Sequence, residues 1–265
     1  MNTQDLEQKL KNEFEKVIDN PTDKRIKRYR EVENALLALW AKDLFSDMID
    51  EINDAIQLGK SNAIKQLRKR GFSKTKDNTK IYQQLSEAKK QQLKMEIERV
   101  IAGIKVNSRR NISEMRNAFI LEKKKLATDF LGTFKKYGVA YFVDRGGARW
   151  TLDRYVNMLS TQTLISAKRE AFFTKSLEWG NDLVRILHLG TDHQPCPLCE
   201  PFEGKVLSLT GKTRGYMSVS EAENLGLFHV NCDHAMELAP QEITEEEKDI
   251  EPDEDNLKYE QRNKY

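Results

Sequence analysis

Read as a pattern of apolar and polar positions, the first half of the chain is helical. One apolar stripe runs Tyr29, Val32, Leu36, Trp40, Leu44, Met48, Ile52 and Ile56. Steps of three and four place these side chains along one face of a long helix. The stretch "YQQLSEAKKQQLKMEIERVIAGI" reads as a further helix, and a third stripe runs Ile112, Met115, Phe119, Leu126, Phe130 and Phe134. No proline occurs from Thr22 to Gln194, so nothing forces these helices to stop early. Several long helices packed antiparallel are the expected result for residues 1–136.

From residue 137 the period changes. "GVAYFVDRGGARW" carries strand-forming residues around a Gly pair and reads as a strand entering a turn. "TLDRYVNMLSTQTLISAKREAFFTKSLEWG" then reads as a helix with Thr151 as N-cap and Gly180 as its stop. "DLVRILHLG" and "GKVLSLTG" read as short strands flanking a Cys pair. The fold class that follows is mainly α: a multi-helix N-terminal region, then a small α+β domain over 137–240. Residues 241–265 hold 10 Asp/Glu against 4 Lys/Arg and few apolar groups. Such a tail is expected to lack structure by itself.

Composition sharpens this picture in two places. Apolar residues are 38% and charged residues 32% of the 265, which suits exposed long helices better than one compact globule. The net charge is only +2, yet Lys60 to Lys125 holds 19 Lys/Arg against 6 Asp/Glu. A segment with that excess is either the solvated face of helices or a dock for a polyanion. If it meets nucleic acid, the groups expected to act are Lys65, Arg68, Lys69, Arg70, Arg109 and Arg110. The charged N-terminus "MNTQDLEQKLKNEF" has no apolar signal-peptide core, and no run approaches the ~20 apolar residues of a membrane span. Synthesis in a reducing cytosol, without disulfides, is the expectation, and three cysteines are an odd number to pair.

All three cysteines lie in "CPLC", Cys196 to Cys199, and "FHVNCDH", which holds His229, Cys232 and His234. A two-residue spacer lets both sulfurs of a turn address one cation, and His229 to Cys232 repeats that spacing. Zinc takes four thiolate or imidazole ligands in a tetrahedron, so these five candidates over-supply one structural site. The preferred set is Cys196, Cys199 and Cys232 with one histidine, His229 and His234 competing for the last position. Unligated buried thiols are the bland alternative. Redox chemistry would need a helix after the Cys pair to lower a thiol pKa, and Pro201 and Gly204 oppose one. A catalytic zinc would need an open position and a base such as Glu200, Glu203 or Asp192. Thiolate-rich ligation marks closed sites instead, and there is neither HExxH nor GxSxG. His188 and His193 read as surface or hydrogen-bonding groups.

Taken together, "YFVDRGGARWTLDRYVNML", "CPLCEPFEGKVLSL" and "FHVNCDH" resemble the phage minor capsid protein family, minor head proteins of tailed bacteriophages related to Mu F-like head proteins. The matching positions are Asp144, Arg145, Gly147, Arg149, Trp150, Leu152, Tyr155 and Met158. They continue through Cys196, Pro197, Leu198, Cys199, Pro201, Gly204, Lys205 and Val206 to His229, Asn231, Cys232 and His234. Val230, Asp233 and Glu203 depart from the family's usual Pro, Arg and Gln, and none of these changes removes a candidate ligand. The resemblance covers about Tyr141 to His234 and reaches the helical half only through "KRYREVENALLALW". It implies a non-enzymatic component of the virion head interior, made in the host bacterial cytoplasm, with the portal and capsid or scaffold proteins as partners. Non-specific contact with double-stranded DNA is the accompanying expectation from the basic segment, and a zinc-containing nucleic-acid-binding protein is the alternative function.

Overall fold

The computed structural model describes residues 1–71, 78–120, 138–144, 146–187, 196–230, 232 and 234–239. The acidic segment 241–265, His188, Asp192, His193 and the Leu126–Phe134 part of the third stripe lie outside the described residues. The architecture is mainly α, as the periodicity predicts. Helices α1 (Thr3–Asp19), α2 (Asp23–Lys69), α3 (Thr79–Ile120) and α4 (Leu152–Glu178) carry most of it. At about 1.5 Å per residue, the 47 residues of α2 extend about 70 Å. By its contacts the chain divides into two compact units, Met1–Glu51 with Ala88–Thr161, and Ile52–Glu87 with Gln162–Tyr265. Helices α2, α3 and α4 each contribute residues to both.

In the first unit, α1 starts where the Asn2 side chain accepts from the Asp5 N–H at 2.8 Å, and ends at extended Asn20 before Pro21. Its buried face is Leu6, Leu10, Phe14 and Val17. Phe14 meets Tyr29 of α2 edge-on at 5.2 Å. The buried line on α2 differs from the predicted stripe. Glu33 and Leu37 are buried, at 3% and 0% exposed, while Val32, Leu36 and Leu44 are only half-buried. Both lines leave Tyr29 and rejoin at Trp40 with one step of three and two of four, so helix geometry permits either. A reading by apolar character takes Val32 over the carboxylate Glu33, whereas packing buries Glu33 beside Tyr29, whose hydroxyl donates to it at 3.2 Å.

A hairpin closes this unit. Strand β1 (Phe142–Val143) pairs antiparallel with β2 (Arg149–Trp150). Asp144 holds the turn, accepting from the Ala148 N–H and from Trp150 Nε1, each at 2.8 Å. Phe142 and Trp150 both pack on Tyr155 of α4, at 4.5 and 6.1 Å between ring centroids. Asp144, Trp150 and Tyr155 of the resemblance motif are therefore residues that build and anchor a hairpin.

Helix α4 begins in the first unit after Thr151, whose hydroxyl accepts from Arg154 N–H at 3.4 Å, and ends in the second. It stops at Gly180, whose φ of 77° is the left-handed conformation the sequence reading requires there. The chain then enters β3 (Leu183–Ile186), the centre of a three-stranded antiparallel sheet with β4 (Val206–Ser208) and β5 (Met236–Leu238) at its edges. The first two strands lie within the predicted segments. Strand β5 was not foreseen, since three residues with one polar position carry too short an alternation. Its outer edge is covered where Leu238 N–H donates to Gln66 Oε1 of α2 at 2.8 Å. The core combines Ala63 and Leu67 of α2, Phe172 and Trp179 of α4, Val184, Ile186 and Leu207 of the sheet, and two cysteines, Cys199 and Cys232.

Candidate metal centre

Two knuckles converge under this sheet. In the first, the Cys196 carbonyl accepts from the N–H groups of both Cys199 and Glu200, at 3.0 and 2.9 Å, which curls the chain into a tight turn. A single 3-10 turn, Glu200–Phe202, follows and buries Phe202. No α-helix begins there, so the cysteines lack the helix terminus that a redox dithiol needs. The second knuckle is delivered by α5 (Val219–Asn224), whose start is set by a capping box between Ser218 and Glu221. Leu227 N–H closes the helix end onto Ala222 O at 2.9 Å, and Phe228 adopts a left-handed φ of 61°. That conformation is costly for a non-glycine residue, about 1–2 kcal/mol. It turns His229 toward the first knuckle, and Cys232 N–H closes the turn onto His229 O at 3.0 Å.

The predicted donors meet in two overlapping groups. Cys196, Cys199 and His229 form one, and Cys199, Cys232 and His234 the other, with ligand atoms within 4.8 Å of one another in each. Cys199 belongs to both. Cys199 and Cys232 sulfurs are 3.5 Å apart, Cys196 Sγ is 2.9 Å from His229 Nε2, and Cys232 Sγ is 3.4 Å from His234 Nδ1.

The far nitrogen of each imidazole is also held. His229 Nδ1 lies 2.7 Å from the Val230 carbonyl, which can only accept, so Nδ1 carries the proton and Nε2 presents a lone pair to sulfur. His234 Nε2 lies 2.7 Å from the Glu203 carboxylate, while Nδ1 lies 3.4 Å from the Cys232 sulfur. Each imidazole–sulfur contact needs a positive centre between the two atoms, a proton or a metal ion. Imidazoles oriented through their second nitrogen by a carbonyl or carboxylate are the usual arrangement around a metal. The sulfur spacing agrees, since a tetrahedral site with bonds near 2.3 Å sets sulfurs about 3.8 Å apart. These groups can therefore hold a metal ion. The structure does not choose between the histidines: one flanks Cys196 and the other Cys232.

The protonation pattern without metal reinforces this. The hydrogen bond between Cys199 and Cys232 raises the Cys199 thiol, with burial adding to the rise, and the same bond lowers Cys232. His234 lowers Cys232 as well, so Cys232 is the more acidic thiol of the pair. Arg169 of α4 interacts with it through charge; its guanidinium carbon sits 4.1 Å from the Phe228 ring centroid, and it pairs with Glu223 of α5 at 3.5 Å. Burial lowers the Arg169 pKa, while Glu223, Glu170 and Cys232 oppose the change. Arg169, Cys232 and His234 share the wall of a cavity of about 230 Å³.

Sequence reading named all five donors but missed Arg169 and the purpose of Glu203. A spacing motif reports ligands near in sequence, and Arg169 lies on a helix that precedes the first knuckle. Glu203 reads in the sequence as a candidate base for a catalytic zinc and as a departure from the family's usual Gln; in the structure it contacts His234 Nε2.

The fold is mainly helical, with a small sheet region in which two Cys/His knuckles come together. The family model for phage minor capsid protein 2 matches residues 6–265, so the chain belongs to that family. No curated protein and no solved structure matches it. A family of phage capsid components places its members in the virion. Among the described residues no helix is long and apolar enough to cross a membrane.

Proposed function

We propose that the protein is a structural component of the phage head interior, seated against the portal, whose small domain is cross-linked by one zinc ion. Cys196, Cys199, Cys232 and one of His229 and His234 would hold the ion. The family membership supports the head role. The observation that carries the metal reading is that each imidazole sets one nitrogen against a cysteine sulfur while its other nitrogen is fastened. Zinc fits this set because soft thiolates with imidazole suit its tetrahedral preference. Bound there, it would neutralise buried thiolate charge and join residues 196–199 to 229–234, which short strands alone hold weakly.

Two measurements test this reading. Elemental analysis of the protein made in a zinc-replete bacterial cytosol should give about one zinc per chain, as a closed structural site requires. Absence of metal above background overturns the zinc cross-link. Co-expression with the portal protein of the same phage should yield a complex that survives gel filtration, and separate elution overturns the portal contact.

A further inference from the structure

Within the first unit, the N-terminal turns of α2 and the C-terminal turns of α3 border a groove of about 470 Å³. Four cations line it: Lys27 and Arg30 from α2, Arg109 and Arg116 from α3. The carboxylates there are Asp23 and Glu31, and Asp23 is taken by Arg116 at 3.1 Å. Lys27, Arg30 and Arg109 are exposed and make no ion pair among the described residues. Against these three cations the groove lining holds one remaining carboxylate, Glu31, and the charge of Arg109 also acts on the buried Glu33.

We infer that this groove is a docking surface for the phosphate backbone of double-stranded DNA. The spacing supports it: Lys27 and Arg30 lie three residues apart on one helix face, and Arg109 and Arg116 lie two turns apart, about 10.5 Å, on another. Cations on two rods bordering one channel can follow a line of phosphates. The groove also lacks what a protein partner would need. Its apolar residues, Ile26 and Ile112, are 6% and 3% exposed and belong to the core, so no apolar anchor is offered to a partner's hot spot. Contacts made only to phosphates carry no base information, so binding is sequence-independent.

This surface is not the one the basic segment alone points to. Arg109 is shared, but Lys27 and Arg30 lie outside Lys60–Lys125, and Arg110 is occupied by Glu114 at 2.9 Å. Lys65, Arg68, Lys69 and Arg70 belong to the other unit.

The test is the salt dependence of binding to a fluorescein-labelled mixed-sequence DNA duplex, read by anisotropy on the full chain. Because each phosphate contact contributes about 0.9 to the slope of log K against log salt, Lys27→Gln/Arg30→Gln/Arg109→Gln should lower its magnitude by two to three between about 50 and 200 mM salt. Arg68→Gln/Lys69→Gln/Arg70→Gln should leave the slope within about one of the parent. The double variant Lys27→Gln/Arg30→Gln, which leaves α3 untouched, should lower it by about two and guards against a folding defect in the triple. The proposal is overturned if the parent chain binds no duplex at about 50 mM salt. It is also overturned if poly-glutamate binds in place of DNA, if the double variant keeps the parent slope, or if the Arg68 triple loses as much as the groove triple.

Discussion

The guanidinium of Arg169 lies 4.1 Å above the ring of Phe228, which among the described residues is the non-glycine residue with a left-handed backbone. One helix residue thus clamps the strained position that aims His229, and its charge interacts with Cys232. Arg169→Met keeps bulk for packing and removes the charge. It should weaken zinc binding by about tenfold, the lower end for residues that support metal ligands. Competition against a chromophoric chelator measures this. Unchanged affinity in Arg169→Met would mean the guanidinium serves packing alone.

Because Cys199 is common to both donor groups, it should be the least replaceable ligand. Cys199→Ser should drop the zinc content further than His229→Ala or His234→Ala. Each histidine variant leaves one group of three complete, and water or the other imidazole can take the vacant position. Metal per chain, measured on the three variants side by side, decides this. Equal losses would show that the donors act as one indivisible set.

Chelation should affect the molecule unevenly. Residues around the knuckles depend on strands of three and four residues, whereas the long helices bury continuous apolar faces of their own. Metal removal should therefore expose the segment after Gly180 to proteases while most far-UV helical signal persists. A cooperative loss of all helicity on chelation would contradict this.

Glu33 is a buried carboxyl whose pKa is raised by burial, with the nearby Ser108 hydroxyl, the hydrogen bond from Tyr29 and the charges of Lys105 and Arg109 opposing the rise. The sign follows directly. An acid with a folded-state pKa above its unfolded value favours folding when protonated, and that contribution is lost as pH rises from about 4.3 through the folded pKa. Glu33→Gln should therefore match the parent near pH 4 and exceed it at pH 7, by a few degrees in melting temperature. Parallel melting curves across that range would rule out an ionised Glu33 as a cost.

A methyl placed on Gly59 would lie 2.0 Å from the Lys168 carbonyl oxygen, so α2 and α4 touch through backbone there. Gly59→Ala gains about 1 kcal/mol of helix propensity. The steric overlap outweighs it, since backbone must move apart, at a typical cost of 1–3 kcal/mol or more. Net destabilisation in urea unfolding is the expected outcome; a more stable Gly59→Ala would show that the crossing is looser than it looks.

The sequence by itself determined the helical class, the limits of α4 between Thr151 and Gly180, two of the three sheet strands and all five metal-ligand candidates. Each of these depends on residues close together in the chain: a period, a cap, a stop, a two-residue spacer. Local chemistry is enough to write such features. Tertiary structure decided the rest. It put Glu33 and Leu37 into the core in place of Val32 and Leu36, because both lines fit one helix face between Tyr29 and Trp40 and only the packed neighbours select which is buried. It made β5 a strand, because three residues become one only when Leu183–Ile186 and Gln66 are there to pair with them. It brought Arg169 to Phe228 and Lys27 to Arg109 across gaps of 59 and 82 residues, where attraction and burial act through space and leave no spacing in the chain to read.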